Sequence, residues 1–162
     1  MSSRTTQIIL VAGALILVIG LALAPRLPED ARQKANSDPA AKKLSSAVSK
    51  VQNGDNPMEG IMMIRELLED DSTYVDAHWQ LAQFSLTSRQ IENAEFRFEK
   101  VIQFDENQKY PEAYFWLAQT KVSLDKPQEA VPLLKKYLTL ETDTIVKNGV
   151  QRMLDQLERD LE

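Results

Sequence analysis

The sequence contains no cysteine, a single histidine and only five glycines in 162 residues. Without thiols the chain can form no disulfide, and it offers neither a thiolate metal ligand nor a cysteine nucleophile. It also has no glycine-rich phosphate loop and no nucleophile motif with a base at a suitable spacing. We therefore expect a protein that is not an enzyme, with no catalytic residue, no cofactor and no metal site.

Positive charge is also scarce. Lys and Arg number 19 against 24 Asp and Glu, which gives a formal net charge of −5. Because nucleic-acid binding needs a clustered cationic surface, we expect no nucleic-acid partner. The acidic runs EDD (69–71) and DE (105–106) lack the glycine-containing loop spacing of calcium sites and are interpreted as solvated helix ends.

The amino-terminal region contains a long uncharged stretch. Residues 5–24, TTQIILVAGALILVIGLALA, carry no charge and lie between Arg4 and Arg26. As a helix they would extend about 30 Å, the thickness of a bilayer's hydrocarbon core. This predicts a short tail (1–4) followed by a transmembrane signal anchor (5–24) that contacts the lipid bilayer. A removed signal peptide is the alternative: Pro25 disfavours cleavage after Ala24, but cleavage after Ala22 stays open.

The side of the membrane on which the rest of the chain lies is left open by the flanking residues. Basic residues after the apolar stretch outnumber Arg4, which by the charge rule keeps the carboxyl-terminal domain in the cytoplasm. A short tail before an apolar helix is instead the layout of a bacterial signal anchor that exports the domain attached to it. The second argument favours a single-pass cell-membrane protein with an extracytoplasmic, periplasmic domain. Residues 25–40, rich in proline and charge, are predicted to be a linker.

One phrase occurs twice in the chain. AHWQLAQF (77–84) returns 36 positions later as AYFWLAQT (113–120). Each copy predicts an amphipathic helix, a short turn and a second amphipathic helix, and a weaker copy covers residues 41–71. Self-similarity at this period is typical of stacked helical hairpins.

These repeats resemble the tetratricopeptide repeat (TPR) family, whose pattern places an aromatic, a Leu, a small residue, an Ala and two further apolar residues at fixed offsets. The second repeat supplies His78, Leu81, Ala82, Ala94, Phe98 and Val101. The third supplies Tyr114, Leu117, Ala118, Ala130, Leu134 and Tyr137. The first supplies Leu44, Ala47, Val48, Gly60, Ile64 and Leu67. The chain departs from the pattern at the terminal Pro, replaced by Ser72 and Glu106, and by two extra residues between the second and third repeats.

The resemblance implies an all-α fold, a solenoid of three helix hairpins over 41–74, 75–108 and 111–141. Small residues are needed where the two helices of a hairpin cross, because a larger side chain would separate them. The last hairpin needs a cap, and residues 142–162 provide an amphipathic helix with Thr142 or Asp143 as its N-cap. Its apolar positions are Val146, Val150, Met153, Leu154, Leu157 and Leu161.

In this family the first helices line a concave groove that takes an extended peptide or a partner helix. The corresponding groove positions here are Asp76, Trp79, Gln83, Leu86, Glu112, Phe115, Gln119 and Val122. We expect the rings of Trp79 and Phe115 to face this groove. The alternative is that the cap helix or the linker folds over both rings and buries them.

The expected function is that of a membrane-anchored scaffold or adaptor that binds a partner protein or peptide in this groove. It is similar to the small anchored repeat proteins of bacteria that assist cytochrome c maturation or the secretion translocon. The alternative is a structural subunit of an obligate oligomeric membrane complex, with its groove permanently filled by a sister chain as in a homo-oligomer. Ser45 and Ser49 replace the Lys and Asn of the carboxylate clamp of chaperone-binding members, so that specificity is not expected. The histidine, His78, occupies an aromatic packing position and is expected to be structural.

Overall fold

The computed structural model describes residues 38–54 and 56–162. The predicted tail, the predicted transmembrane anchor and most of the predicted linker lie outside the described residues. Within those two ranges the chain forms seven α-helices and no strand. They are α1 Pro39–Asn53, α2 Pro57–Asp70, α3 Val75–Thr87, α4 Ile91–Phe104, α5 Glu112–Ser123, α6 Pro127–Leu140 and α7 Thr144–Leu161. In this part of the chain no helix is both long and apolar enough to cross a membrane.

The first two helices begin at polar caps followed by a proline. The Asp38 carboxylate accepts a hydrogen bond of 2.9 Å from the backbone N–H of Ala40, and Pro39 occupies the first turn. This cap starts α1 inside the segment predicted as linker, because an N-cap acceptor and a proline together favour helix initiation. At α2, Asn56 accepts from the Glu59 N–H at 3.3 Å and donates to its carboxylate at 2.9 Å.

Six of the helices pack as neighbouring pairs, α1 with α2, α3 with α4, and α5 with α6. Among the described residues, the turn inside each pair has one with a left-handed backbone: Gly54 (φ 76°), Arg89 (φ 58°) and Asp125 (φ 59°). Such short connections make the paired helices antiparallel. Glycine adopts this backbone without steric cost, whereas Arg89 and Asp125 adopt it against their intrinsic preference.

The small residues that the sequence places at the helix crossings are buried. Ala82, Ala94 and Ala130 are fully buried, with Ala118 nearly so. Helices α1 and α2 approach each other closely at Gly60. A Cβ added to Gly60 would lie 2.5 Å from the carbonyl oxygen of Ala47 and 2.6 Å from a methyl of Val51. The absence of a side chain at position 60 is therefore what allows α2 to lie this close to α1.

The apolar core runs without interruption through α3, because opposite sides of this helix contribute to two clusters. One cluster joins α1, α2 and α3, and the other joins α3, α4 and α5. The first comprises Leu44, Ala47, Ile64, Leu67, Ala77 and Leu81. The second comprises Trp79, Ala82, Ala94, Phe98, Val101, Tyr110, Ala113 and Leu117.

The last helix, α7, packs against α6. Asp143 is its N-cap and accepts from the N–H groups of Ile145 at 2.7 Å and Val146 at 3.2 Å. Val146, Val150 and Leu154 are buried, whereas Leu161 at the end of the helix is exposed. A helix is thus present where the cap was predicted, and its buried apolar side chains all lie between Val146 and Leu154.

Candidate partner-binding face

The indole of Trp79 is sealed inside the protein, with 8% of its surface exposed. It stacks on the ring of Tyr110 at a centroid distance of 4.6 Å and meets Phe98 edge-on at 5.8 Å. The expectation that this ring faces an open groove is wrong. Tyr110, which covers the indole, belongs to the connection between α4 and α5. It is part of neither the cap helix nor the linker, the two elements considered as possible covers.

Five hydrogen bonds hold Lys109 and Tyr110 in place over the indole. Its hydroxyl donates to Asp76 at 3.0 Å, and the ammonium of the preceding Lys109 bonds the same carboxylate at 2.6 and 2.7 Å. Asp105 accepts from the backbone N–H groups of Lys109 and Tyr110 at 2.9 and 2.7 Å. Asp76, predicted to line the groove, is thus committed to internal contacts. Lys109 and Tyr110 are the two extra residues between the second and third predicted repeats. This interruption is the one feature of the sequence that marks the connection as unusual.

Phe115 is fully buried, so the expectation of an exposed ring is wrong here too. Its ring lies 5.6 Å from Tyr137 on α6 and 5.4 Å from its neighbour Trp116. Tyr137 is itself fully buried and its hydroxyl donates to Glu141. Burial, together with that carboxylate, raises the pKa of Tyr137 above its ordinary value, so the phenol stays protonated. The two predicted rings are therefore parts of the core.

Glu112, at the start of α5, is half-buried. Burial raises the pKa of its carboxyl group, and the negative charges of Glu141 and Asp105 add to this effect. A carboxyl group in such surroundings binds cationic ligands weakly, because its charged form is disfavoured. Glu112 is therefore a poor contact for a cationic partner.

The two predicted amides differ in their partners. The Gln119 side-chain nitrogen donates to the sulfur of Met153 on α7 at 2.8 Å, so the last helix reaches the face that the sequence assigned to binding. The Gln83 side-chain nitrogen is buried and has no hydrogen-bond partner among the described residues. An unsatisfied buried donor costs about 1–3 kcal/mol.

Leu86 and Val122 follow these amides by one helical turn, which places them on the same helix faces. Leu86 is half-buried against the core cluster that contains Trp79, and Val122 is 42% exposed. We name these four residues of α3 and α5 the amide face: Gln83, Leu86, Gln119 and Val122. Of the predicted groove residues, Val122 alone is exposed, and Gln83, Leu86 and Gln119 are half-buried.

His78 is held between a carbonyl and a guanidinium. Its Nε2 lies 2.9 Å from the carbonyl oxygen of Ser72 and its Nδ1 lies 3.2 Å from Arg97. Since a carbonyl oxygen only accepts, Nε2 carries the proton and Nδ1 accepts from Arg97. Burial lowers the pKa of His78, and the nearby Arg97 adds to this effect, so the ring is neutral at physiological pH.

A buried lysine joins the second and third helix pairs. Lys121 on α5 is 8% exposed, and its ammonium contacts Glu95 at 2.7 Å, Glu99 at 3.0 Å and Glu129 at 2.8 Å. Burial alone would lower its pKa, but these three carboxylates outweigh that effect and raise it. Sequence reasoning missed this cluster, because its acidic partners are on α4 and α6 and no spacing along α5 indicates them.

Comparison with known proteins found no family model that matches the chain and no curated protein that matches it.

Proposed function

We propose that this protein is a membrane-anchored scaffold of the tetratricopeptide type, which binds a segment of a partner protein along its amide face. Three successive helix pairs with small residues at their crossings support the repeat interpretation. The uncharged stretch 5–24 supports the anchor. The chain holds its partner near the membrane and assists assembly of a membrane-associated complex, in the manner of the cytochrome c maturation or translocon-associated repeat proteins.

The observation that carries this proposal is the buried Gln83 nitrogen without an acceptor, one turn before Leu86 on α3. A backbone carbonyl of an extended peptide is the acceptor that such an amide lacks, and a rotation of the terminal amide group would present the nitrogen to it. Exposed Val122 at the corresponding position of α5 adds apolar contact area. Because Trp79 and Phe115 are buried, binding is restricted to the part of the predicted groove that the amide face forms.

Site-specific photocrosslinking in native membranes tests the proposal. A photoreactive residue at position 122 is expected to capture one protein partner, and Gln83→Ala is expected to reduce that capture. The matched control is position 145, where Ile145 is 82% exposed in the first turn of α7. Equal capture from both positions would contradict the proposal. Capture of the chain's own sister copy from position 122 would instead show a structural subunit.

A further inference from the structure

A second surface, on α2 and α4, carries positive charge around an exposed aromatic ring. Phe96 on α4 is 49% exposed, with the Arg97 guanidinium 5.1 Å and the Lys100 ammonium 5.8 Å from its ring centroid. Met62 on α2 is 54% exposed, and Arg65 follows it by one helical turn. We name these residues the basic patch: Met62, Arg65, Phe96, Arg97 and Lys100.

Arg97 differs from the other arginines that the structure describes, because it alone is half-buried. Its hydrogen bond to His78 and its contact with Phe96 fix the guanidinium in one orientation. In residues 38–54 and 56–162 no carboxylate lies within ion-pairing distance of it. Burying a charge without a counter-charge is unfavourable, so this guanidinium is a group that an anion would stabilise.

The positive charge near Arg97 makes its protonated form still less favourable in the absence of an anion. Burial lowers its pKa, and the positive charge of Arg65 on the neighbouring helix lowers it further. Asp71, the carboxylate that acts on His78, is itself hydrogen-bonded to Thr73 through both the backbone N–H and the hydroxyl. The positive charge at this point therefore remains uncompensated within the described chain. Lys121, which is more buried, shows the contrast, since three glutamates surround it.

We propose that the basic patch binds an acidic segment of a partner protein, whose carboxylates pair with Arg97 and Arg65 and whose apolar side chains cover Phe96 and Met62. A guanidinium pairs with a carboxylate through two parallel hydrogen bonds, and a guanidinium that is already fixed loses little entropy on binding. Aromatic and arginine side chains together are the composition typical of binding hot spots. This surface is separate from the amide face, so the scaffold would contact two segments.

A membrane surface fits the basic patch less well than a peptide does. The patch is short, and α2 and α4 also carry Glu66, Glu69, Glu92 and Glu99. With a net charge of −5 the whole chain is repelled by anionic lipids. An acidic peptide would contact only the positive residues of the basic patch, whereas a bilayer surface would also lie against the glutamates of α2 and α4.

Fluorescence anisotropy of the full chain in a neutral detergent tests this proposal. The probe is a short fluorescein-labelled peptide in which Glu and Asp alternate with Leu and Phe, and the reference probe replaces the acids by Gln and Asn. The acidic probe is expected to bind saturably and the reference probe to bind at least about tenfold more weakly. Arg97→Gln and Arg65→Gln are each expected to reduce the affinity for the acidic probe about tenfold.

Arg152→Gln is the matched control, because Arg152 is an exposed arginine on α7 and the substitution removes the same charge. It is expected to leave affinity unchanged. Arg65 is exposed, so Arg65→Gln reports on binding even if Arg97→Gln disturbs folding through His78. Absence of binding, equal binding of the two probes, or equal affinity of Arg65→Gln and Arg152→Gln would overturn the proposal. So would binding of phosphatidylglycerol vesicles, dependent on Arg65, in place of the peptide.

Discussion

The rings of Trp79 and Tyr110 stack with their centroids 4.6 Å apart and their planes inclined by only 15°. Tyr110 is one of the two extra residues in the sequence spacing, and its ring covers a position that the sequence predicted to be open. Burial, reinforced by Asp76, raises the pKa of the Tyr110 phenol above its ordinary value. The phenol thus stays a hydrogen-bond donor to Asp76 at all physiological pH values.

Truncating either buried ring should destabilise the fold. Trp79→Ala and Phe115→Ala are each expected to lower the free energy of unfolding by about 3–5 kcal/mol, because each leaves a large cavity in a packed core. Urea denaturation of the full chain, followed by far-ultraviolet circular dichroism, measures this loss. Val122→Ala, on the exposed part of α5, is the control and should cost less than about 0.5 kcal/mol. Unchanged stability of Trp79→Ala would show that its burial is not needed for folding.

Removing only the Tyr110 hydroxyl should have a smaller effect. Tyr110→Phe keeps the stacked ring and removes the donor to Asp76, so a loss of about 1 kcal/mol is expected. Tyr110→Ala removes the stacking as well and should cost about 3–5 kcal/mol. Tryptophan fluorescence gives a second measurement, since loss of the ring should expose the Trp79 indole to water and shift its emission to longer wavelength. Equal effects of both substitutions would mean that the hydrogen bond, not the ring, holds the connection.

Much of this architecture can be predicted from the sequence, because it depends on local periodicity. Apolar spacing predicts the helices, Asp143 predicts the start of α7, and the recurrent alanines predict where paired helices cross. What could not be predicted depends on contacts between distant positions. The interruption of the spacing marks positions 109 and 110, but it does not indicate that Tyr110 covers Trp79. Nothing in α5 indicates that glutamates of α4 surround Lys121. A buried ring and a groove ring have the same spacing within a helix, so spacing cannot separate them.

The glycines at positions 60 and 149 should respond in opposite ways to alanine. An added Cβ at Gly60 would overlap the backbone of α1, whereas an added Cβ at Gly149 has nothing within 4 Å. Gly60→Ala is therefore expected to destabilise by about 1–3 kcal/mol through overpacking. Gly149→Ala should stabilise α7 by about 1 kcal/mol, since alanine is the better helix former. Thermal unfolding followed by circular dichroism separates the two, and a stabilised Gly60→Ala would mean that the helices can move apart freely.

Removing the charge of Lys121 should leave Glu99 and Glu129 without this cation, while Glu95 keeps its ion pair with Lys126 at 2.8 Å. Lys121→Met keeps most of the side-chain volume and is expected to cost about 1–3 kcal/mol, because Glu99 and Glu129 are about half exposed and water can solvate their charges. Adding Glu95→Gln should recover part of this loss, and a double-mutant cycle in urea should give a coupling of about 0.5–3 kcal/mol. Lys135→Met, which breaks the exposed pair with Glu158, is the control and should cost at most about 1 kcal/mol. Strict additivity would show that Lys121 and Glu95 do not interact.

His78 should make the fold sensitive to mild acid. Burial keeps its pKa in the folded state below the ordinary value of about 6.5, so the unfolded chain binds a proton first as the pH falls. The stabilisation is complete above about pH 6.5 and is lost on lowering the pH toward the folded-state pKa, with a slope of at most about 1.4 kcal/mol per pH unit. His78→Phe keeps a ring at this position and should lose that slope. Urea midpoints measured between about pH 7.5 and 5.5 give this slope, and an unchanged slope in His78→Phe would assign the acid sensitivity to another group.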